Sequence, residues 1–587
     1  MEDNDYMKNI YLETIVAAVL AVSCSGPKDG TYTLHVLSTN DVHAAWFDST
    51  YVGGGTQRSL FAVNHYVDSI RNAVGKDNVI LLDAGDCLQG DNSSYYFNYI
   101  DTLTPHLFPR LVSYMGYDAI TVGNHDIEAG HPVYDRVAAD LAEAGIPFLG
   151  GNAIRTDNGQ PYFPLYKVFQ RAGLKVLVMG YTNANNKAWM NENLWSGMTF
   201  ESLIPLVQQD VDRLTEQEKP QVVIVSVHSG TGEGDGSILE DQGLDLFNSL
   251  KGVDVLLCSH DHSPYTANNG SIILLNTGSK ASNLGHGEVT VEIKDGKVVS
   301  KKLQDALIPV DRLMADPVMR EHFRPDYEAV KAFTLREVGE LSRDMVFSDA
   351  FLGMSDYTNL LHIVCLGCSP AQISIAAPLT QNATVKAGKL IYNDMFTLYR
   401  YENQLFVVKM TGREVKDFLE FSYGLWIQTM SKPGDHVLNI QPRPDARTGS
   451  ERWSFAEASY NFDSAAGINY TVDVTKPEGS RISISSMADG SAFDMDATYN
   501  VAMTSYRASG GGGAMVRGAG IDTGNIDQRV VAKYPEIRDL IFQYINKQGL
   551  VDPAVIGDKS VLGSWKFIPE SLAGPALAAD RKLLFGE

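Results

Sequence analysis

The chain has 587 residues, 44% apolar and 20% charged, and its formal net charge is −23. This length exceeds one ordinary hydrophobic core and predicts two or more domains in a globular chain. The acidic balance argues against long nucleic acid as the main partner, which would want a basic stripe. A small phosphorylated ligand stays compatible with it, because bound cations dominate the field at such a site.

Residues 1–30 stand apart from the fold. Lys8 precedes a mildly apolar stretch, 15–22, that ends in Ser23-Cys24-Ser25-Gly26. This reads as an export signal with lipoprotein-type cleavage before Cys24. The expected location is the periplasm or cell envelope, with an acyl chain on Cys24 as the one membrane anchor. No other apolar run is long enough to span a bilayer.

Residues 31–310 alternate short apolar runs with helical stretches at 59–74, 133–144 and 205–216, which predicts an α/β domain with largely buried strands. Five of the runs end in metal-ligand residue types. Leu34-His35-Val36-Leu37 leads to Asn40-Asp41-Val42-His43, and Val79-Ile80-Leu81-Leu82 leads to Asp83-Ala84-Gly85-Asp86. Ala119-Ile120-Thr121-Val122 leads to Gly123-Asn124-His125-Asp126, the run 222–227 to His228, and the run 253–258 to Ser259-His260-Asp261-His262. An open α/β sheet usually places its ligand site where strands end and loops begin. Carboxylate, imidazole and side-chain amide, with no thiolate, suit zinc, manganese, iron or cobalt rather than a structural thiolate site. Gly53-Gly54-Gly55 lacks the Lys-Ser/Thr of a phosphate loop and reads as a flexible connection.

Residues 311–345 are charged and helix-prone and read as a linker. A second α/β domain is expected over 346–552, its best helix at 411–422, with Val415, Phe418 and Leu419 at core-facing spacing. Cys365 and Cys368 are the one close cysteine pair and fit either buried thiols or a disulfide. The tail, 553–587, reads as loop-rich and docked through Trp565 and Phe567.

The ordered set Asp41-x-His43, Gly85-Asp86, Gly123-Asn124-His125, His228 and His260-x-His262 resembles the calcineurin-like dinuclear metallophosphoesterases. Within them it is similar to the secreted 5'-nucleotidase and 2',3'-cyclic-nucleotide 2'-phosphodiesterase family, over about residues 31–545. The resemblance implies a β-sandwich flanked by helices, followed by an α/β substrate-binding domain of the 5'-nucleotidase type. It implies two divalent ions, one on Asp41, His43, Asp86 and His262, the other on Asp86, Asn124, His228 and His260, with Asp86 bridging. A hydroxide between the ions would attack phosphorus in line. His125 looks like the family's non-ligand catalytic histidine, which acts on phosphoryl oxygens or the leaving alcohol. Glu128 stands where the 5'-nucleotidases carry an Asp that orients this histidine.

In this family the second domain sets specificity. The 5'-nucleotidase branch has a Gly-rich stretch ending in a phosphate-binding Arg, where this chain reads Ser374-Ile375-Ala376-Ala377-Pro378-Leu379. That branch also keeps an Asp for the ribose hydroxyls, where Gly512 stands here. The stretches Tyr399-Arg400-Tyr401-Glu402-Asn403, Tyr460-Asn461-Phe462-Asp463 and Tyr506-Arg507-Ala508-Ser509-Gly510-Gly511 resemble the cyclic-phosphodiesterase/3'-nucleotidase branch. Tyr401 and Tyr506 occupy the positions that sandwich a nucleobase, with Asn403, Gly510 and Gly511 beside them. Stacking is worth about 1–3 kcal/mol per base and discriminates little among bases. The expected protein is an exported, monomeric hydrolase of 2',3'-cyclic nucleotides and 3'-nucleotides. A 5'-nucleotidase or UDP-sugar hydrolase is the alternative, and a non-catalytic nucleotide-binding lipoprotein a third reading.

Overall fold

The computed structural model describes residues 27–586 except 191, 402 and 445–450; the apolar stretch 15–22 and Cys24 lie outside the described residues. The strands that carry the site are β1 (Gly30–Thr39), β2 (Val79–Asp83), β3 (Ala119–Thr121) and β4 (Phe148–Leu149). They are followed by β5 (Tyr166–Arg171), β6 (Leu174–Tyr181), β7 (Val222–Val227) and β8 (Val255–Leu257). Then come β9 (Tyr265–Asn268), β10 (Ile273–Asn276), β11 (Asn283–Lys294) and β12 (Lys297–Pro309). They form two six-stranded sheets, ordered β12-β11-β1-β2-β3-β4 and β9-β10-β8-β7-β6-β5.

Strands β1 to β4 are mutually parallel, as are β6, β7, β8 and β10. Strands β2 and β7 are buried at every position, which is why they read as unbroken apolar runs. Leu34, Val36, Ile80 and Leu82 of one sheet pack against Val176, Val178, Ile224 and Leu257 of the other. Each such side chain contributes roughly 1.5–3 kcal/mol when fully buried. Helices Leu60–Val74 and His131–Glu143 cover the outer face of the first sheet, and helix Leu203–Glu218 that of the second.

The second domain is built on β13 (Ile373–Ala376), β14 (Gln404–Thr411), β15 (Ser464–Ala466), β16 (Thr498–Thr504) and β17 (Val530–Glu536), in the order β15-β13-β16-β14-β17. Helix Gly412–Trp426 starts at a capping box in which Thr411 and Glu414 satisfy each other's backbone N–H. Val415, Phe418 and Leu419 are all fully buried on its inner face.

Two expectations about the connections change. Helices Pro317–His322 and Arg324–Thr334 fill the expected linker, but Glu337–Leu341 is a strand, antiparallel to Gly388–Ile391 and parallel to Leu550–Val551. Its Val338 and Leu341 are buried while Glu337 and Glu340 stay outside, so its charges gave it the composition of a linker. The tail is not loop-rich. Strand Gly563–Ile568 runs parallel to Ile468–Asp473, and helix Glu570–Phe585 follows. Trp565 and Phe567 turn inward and pack on Tyr423 and Trp426.

All four cysteines among the described residues are thiols, Cys365 and Cys368 included. Among the described residues no helix is long and apolar enough to cross a membrane. The two domains meet where Tyr95 packs on Phe333 and Tyr392 and donates a 2.9 Å hydrogen bond to Asp539.

Candidate functional site

All five ligand-bearing stretches leave the sandwich at one rim. Asp41 follows β1, Asp86 follows β2, and Asn124 follows β3, opening the five-residue helix Asn124–Glu128. His228 comes directly after β7, and His260 and His262 follow β8. Parallel pairing within each sheet sets these strand ends side by side. Thr121 donates to Ser226 across 2.7 Å, and His228 Nδ1 and Ser259 Oγ both donate to the Ala84 carbonyl, at 2.8 and 3.0 Å. These bonds tie one sheet's loops to the other's.

The side chains gather in two groups. In the first, Asp41 Oδ1, His43 Nε2 and His262 Nε2 are 2.8 to 3.9 Å apart. In the second, His228 Nε2 lies 3.1 Å from Asp86 Oδ2 and 3.0 Å from Asn124 Oδ1, and His260 Nδ1 lies 3.0 Å from the same amide oxygen. The other carboxylate oxygens are committed. Asp41 Oδ2 accepts from the His260 N–H and Asn40 Nδ2, and Asp86 Oδ1 accepts from the His125 N–H. That leaves Asp41 Oδ1 buried with no hydrogen-bond partner and Asp86 Oδ2 buried with His228 as its one polar neighbour. An orphaned carboxylate oxygen is costly in an interior, and Asp41 Oδ1 sits among imidazole nitrogens. His43 engages Gln89 Oε1 through Nδ1 at 3.0 Å and so turns Nε2 to the first group. A ligating imidazole is ordinarily held in this way. The donor set therefore fits divalent cations.

The protein charges alone are frustrated. Burial raises the Asp41 carboxyl to about 8, and the neighbouring Asp86 adds to the rise. Burial opposes ionisation of Asp86, yet the charges of His228 and His125 hold it well below the usual range. Burial likewise opposes protonation of His228, and Asp86 still lifts it to about 9. Burial takes His43 and His260 down to about 3. Cations in the two groups would satisfy both carboxylates and accept the neutral imidazoles.

The backbone is strained at the same places. Asp41, His43, Asp86, His260 and His262 have φ of 45°, 45°, 61°, 72° and 58°. Such left-handed non-glycine residues cost on the order of 1–3 kcal/mol each and concentrate at functional sites. The approach is also close. A Cβ on Gly123 would stand 2.1 Å from Asp86 Oδ1, and one on Gly85, at φ 99°, would stand 2.7 Å from His228 Nδ1. Gly123→Ala must push Asp86 aside. It is expected to lower metal content and to cut kcat/KM by about 100-fold, read by metal analysis and kinetics on a variant of unchanged circular dichroism. Full metal content with unchanged kcat/KM would refute this account of the contact.

His125 belongs to neither group. Its Nδ1 is 2.5 Å from Glu128 Oε2, and its ring lies edge-on to that of His43 at 5.4 Å between centroids. It lines a small cleft with Gln89, Tyr99 and Glu128, closed from the second domain by Glu536. Two supporting residues stood in the sequence motifs without a role. Asp126 is fully buried, and its carboxylate accepts from the N–H groups of Gly123, Asp86, Cys87 and Leu88 at 2.8 to 3.0 Å. It thereby locks the β2 loop to the β3 loop. The Asn40 side chain bonds Asp41, Asn276 and the Thr277 N–H. The available signal was adjacency to a ligand in both cases.

The second domain holds a cavity of about 310 Å³. Tyr401, Asn403, Tyr460 and Tyr506 line it, and Tyr401 and Tyr506 are each 39% exposed, so ring surface is open to a ligand. Gly510 and Gly511 do not line the cavity but seat Tyr506. A Cβ on Gly511 would stand 2.3 Å from the Tyr506 ring, and Gly510 turns past Thr523 at φ 101°. Arg507 is buried and spends its donors on Asp463, Asn461 and the carbonyls of Gly511 and Tyr460. A side chain at Gly512 would meet both Arg507 and Asn461 at 2.3 Å. Burial raises the Tyr506 hydroxyl against the pull of Arg507, with Tyr460, Asp463 and Glu240 adding to the rise. Glu240 belongs to the first domain, where its carbonyl accepts from Ser229 beside His228, so the two domains face each other here.

The family model of the calcineurin-like phosphoesterases matches residues 34–264, and that of the 5'-nucleotidase C-terminal domain matches 337–518. The chain is 24% identical to the trifunctional nucleotide phosphoesterase protein YfkN of Bacillus subtilis across 90% of its own length, and it spans 39% of that protein. It is 24% identical to the 2',3'-cyclic-nucleotide 2'-phosphodiesterase/3'-nucleotidase of Salmonella typhimurium, across 85% of this chain and 84% of that one. A crystallised Staphylococcus aureus protein of the 5'-nucleotidase type shares the fold, with a TM-score of 0.71 at 20% identity over 91% of this chain and 99% of that one. The rim of ligands and the cavity thus lie in two recognised modules, and the chain belongs to the calcineurin-like metallophosphoesterases that carry a 5'-nucleotidase C-terminal domain.

Proposed function

We propose that this chain is a metal-dependent phosphohydrolase of small nucleotides that prefers 2',3'-cyclic nucleotides and 3'-nucleotides. The observation that carries the reading is the convergence of the two groups, with Asp41 Oδ1 buried and without a hydrogen-bond partner and Asp86 Oδ2 facing His228 alone. Asp41, His43, Asp86 and His262 would hold one divalent ion, and Asp86, Asn124, His228 and His260 a second, with Asp86 common to both. Zinc, manganese, iron and cobalt all match these donors. Such ions acidify water to give a nucleophile at neutral pH and stabilise charge developing on a phosphoryl group. The remaining work falls to side chains. Glu128 takes up Nδ1 of His125 and fixes the ring, and the imidazole would act on a phosphoryl oxygen or the departing alcohol.

The substrate preference rests on the second domain. No Arg stands in 374–379, Arg507 is spent within the protein, and Gly512 leaves no room for the ribose-binding carboxylate of the 5' branch. One contact favours a 5'-nucleotidase as the second reading, namely the carboxylate of Glu128 on His125. Phosphate release from matched 2',3'-cyclic AMP, 3'-AMP and 5'-AMP separates the two. Higher kcat/KM on the first two substrates is expected, and a preference for 5'-AMP would reassign the activity. Ions retained with no release from any of them would leave a binding protein. The leader ending at Cys24 supports an exported enzyme anchored by lipid.

In this reading Tyr401 and Tyr506 clamp the base while the phosphate sits on the first domain. The Tyr401→Ala/Tyr506→Ala double variant should lose about 1–3 kcal/mol on a nucleotide, roughly 5- to 150-fold in kcat/KM. An aryl phosphate has no base to clamp and should lose little. Equal losses on both would make the tyrosines supports of the fold.

A further inference from the structure

The outer face of the first sheet carries another convergence of metal-ligand atoms. His35 and Glu288 are direct cross-strand partners in the β1–β11 pair, and His286 lies two residues before Glu288 on β11. Their neighbours Leu34, Val36 and Val289 point the other way, into the core between the sheets. His35 Nδ1 is 3.0 Å from His286 Nε2, and Glu288 Oε1 is 3.7 and 3.8 Å from these two nitrogens. Ligand atoms around a tetrahedral zinc ion, at bonds of about 2.0–2.2 Å, are roughly 3.3–3.6 Å apart. The observed triangle brackets that spacing.

A hydrogen bond between the two imidazoles accounts for their approach, but not for the carboxylate aimed at both. At 3.7 and 3.8 Å the Glu288 carboxylate is beyond hydrogen-bond reach of both rings. On the far side of His286, Nδ1 is 3.1 Å from the Tyr66 hydroxyl, contributed by helix Leu60–Val74. That outer bond selects Nε2 as the nitrogen turned to the triangle, as for an imidazole that ligates a metal. The side chains of His35 and His286 are 12% and 10% exposed while that of Glu288 is 37% exposed, so water and ions enter from the carboxylate side.

We propose that His35, His286 and Glu288 form a further metal site, for a borderline divalent ion of the zinc class, with water in the fourth position. Two imidazoles and one carboxylate select such an ion over calcium or magnesium. The ion would pin β1 to β11. Strand β1 delivers Asp41, and Lys280, just before β11, donates its N–H to the Asp41 carbonyl. The site therefore ties the β1–β11 pair together on the sheet's outer face, away from the rim side chains, and it does not depend on the catalytic reading of the rim.

Zinc chloride is the probe. The full chain with Asp41→Ala and Asp86→Ala, which disables the rim, is stripped with chelator, titrated with zinc, desalted and analysed for metal. One equivalent per chain is expected, and adding His35→Ala and His286→Ala should remove it. Glu288→Gln, a half-exposed change, should weaken zinc binding at least tenfold in competition with a chromophoric chelator. In the otherwise native chain Glu288→Gln should do so with nucleotide turnover unchanged, which separates this site from the rim. An absence of bound zinc in the disabled chain, or the same stoichiometry after both histidines are replaced, would overturn the proposal.

Discussion

Asp86→Ala is expected to abolish phosphate release and to leave the chain unable to keep its rim ions. Asp86 is buried at the centre of the rim, with Oδ2 3.1 Å from His228 Nε2 and Oδ1 on the His125 N–H. Its removal leaves several imidazoles around one remaining carboxylate, Asp41, and takes away the anion shared by both proposed ions. Lewis-acid stabilisation by such ions is worth several kcal/mol, so a loss on the order of a thousand-fold or more follows. Misfolding predicts the same loss and has to be separated from it. Binding at 100 times Kd stabilises a fold by about 2.7 kcal/mol per site, so the native chain should gain melting temperature on adding manganese or zinc. The variant should gain little. Without metal it should melt lower than the native chain, because the paired carboxylate of Asp86 is held well below its usual range by His228 and its loss also orphans the His125 N–H, so each chain's own gain on adding metal is the readout. Two tightly held ions per variant chain would remove Asp86 from its shared position.

What was legible in the sequence depended on distance along the chain. Asp41, Asp86, Asn124, His228 and His260 each follow a short apolar run, so local pattern sufficed to mark them, and the parallel strands of two mixed sheets carried the five ends to one rim. Helix Gly412–Trp426 was legible for the same reason, its cap and its apolar spacing being local. Asp126 was not, because its carboxylate serves N–H groups on another loop about 40 residues away. Strand Gly563–Ile568 was missed because its parallel partner lies about 95 residues earlier. His35 and His286 are 251 residues apart and meet only through the β1–β11 register. The tyrosine pair was legible through family likeness alone, since nothing in their spacing distinguishes them from core residues.

His125→Ala should keep both ions and lose about 10²–10⁴-fold in turnover, the usual weight of a positioned proton donor. The split is expected from the geometry. The imidazole stands outside both ligand groups, while the residue's service to the rim is its backbone N–H on Asp86 Oδ1, which alanine preserves. The side chain is 29% exposed in its cleft, enough to reach a bound phosphoryl group, and Glu128 fixes its rotamer at 2.5 Å. Glu128→Gln, whose amide oxygen can still accept from Nδ1, should cost less than Glu128→Ala, which frees the ring. Leaving-group dependence then separates the two roles open to His125. If it protonates the departing alcohol, the loss in His125→Ala shrinks on an aryl phosphate with an acidic phenol, which departs without help. If it holds phosphoryl oxygens, the loss is the same for both leaving groups, because the charge it meets does not depend on them. A metal content as low as in His228→Ala would instead make His125 a ligand, and both roles would be withdrawn.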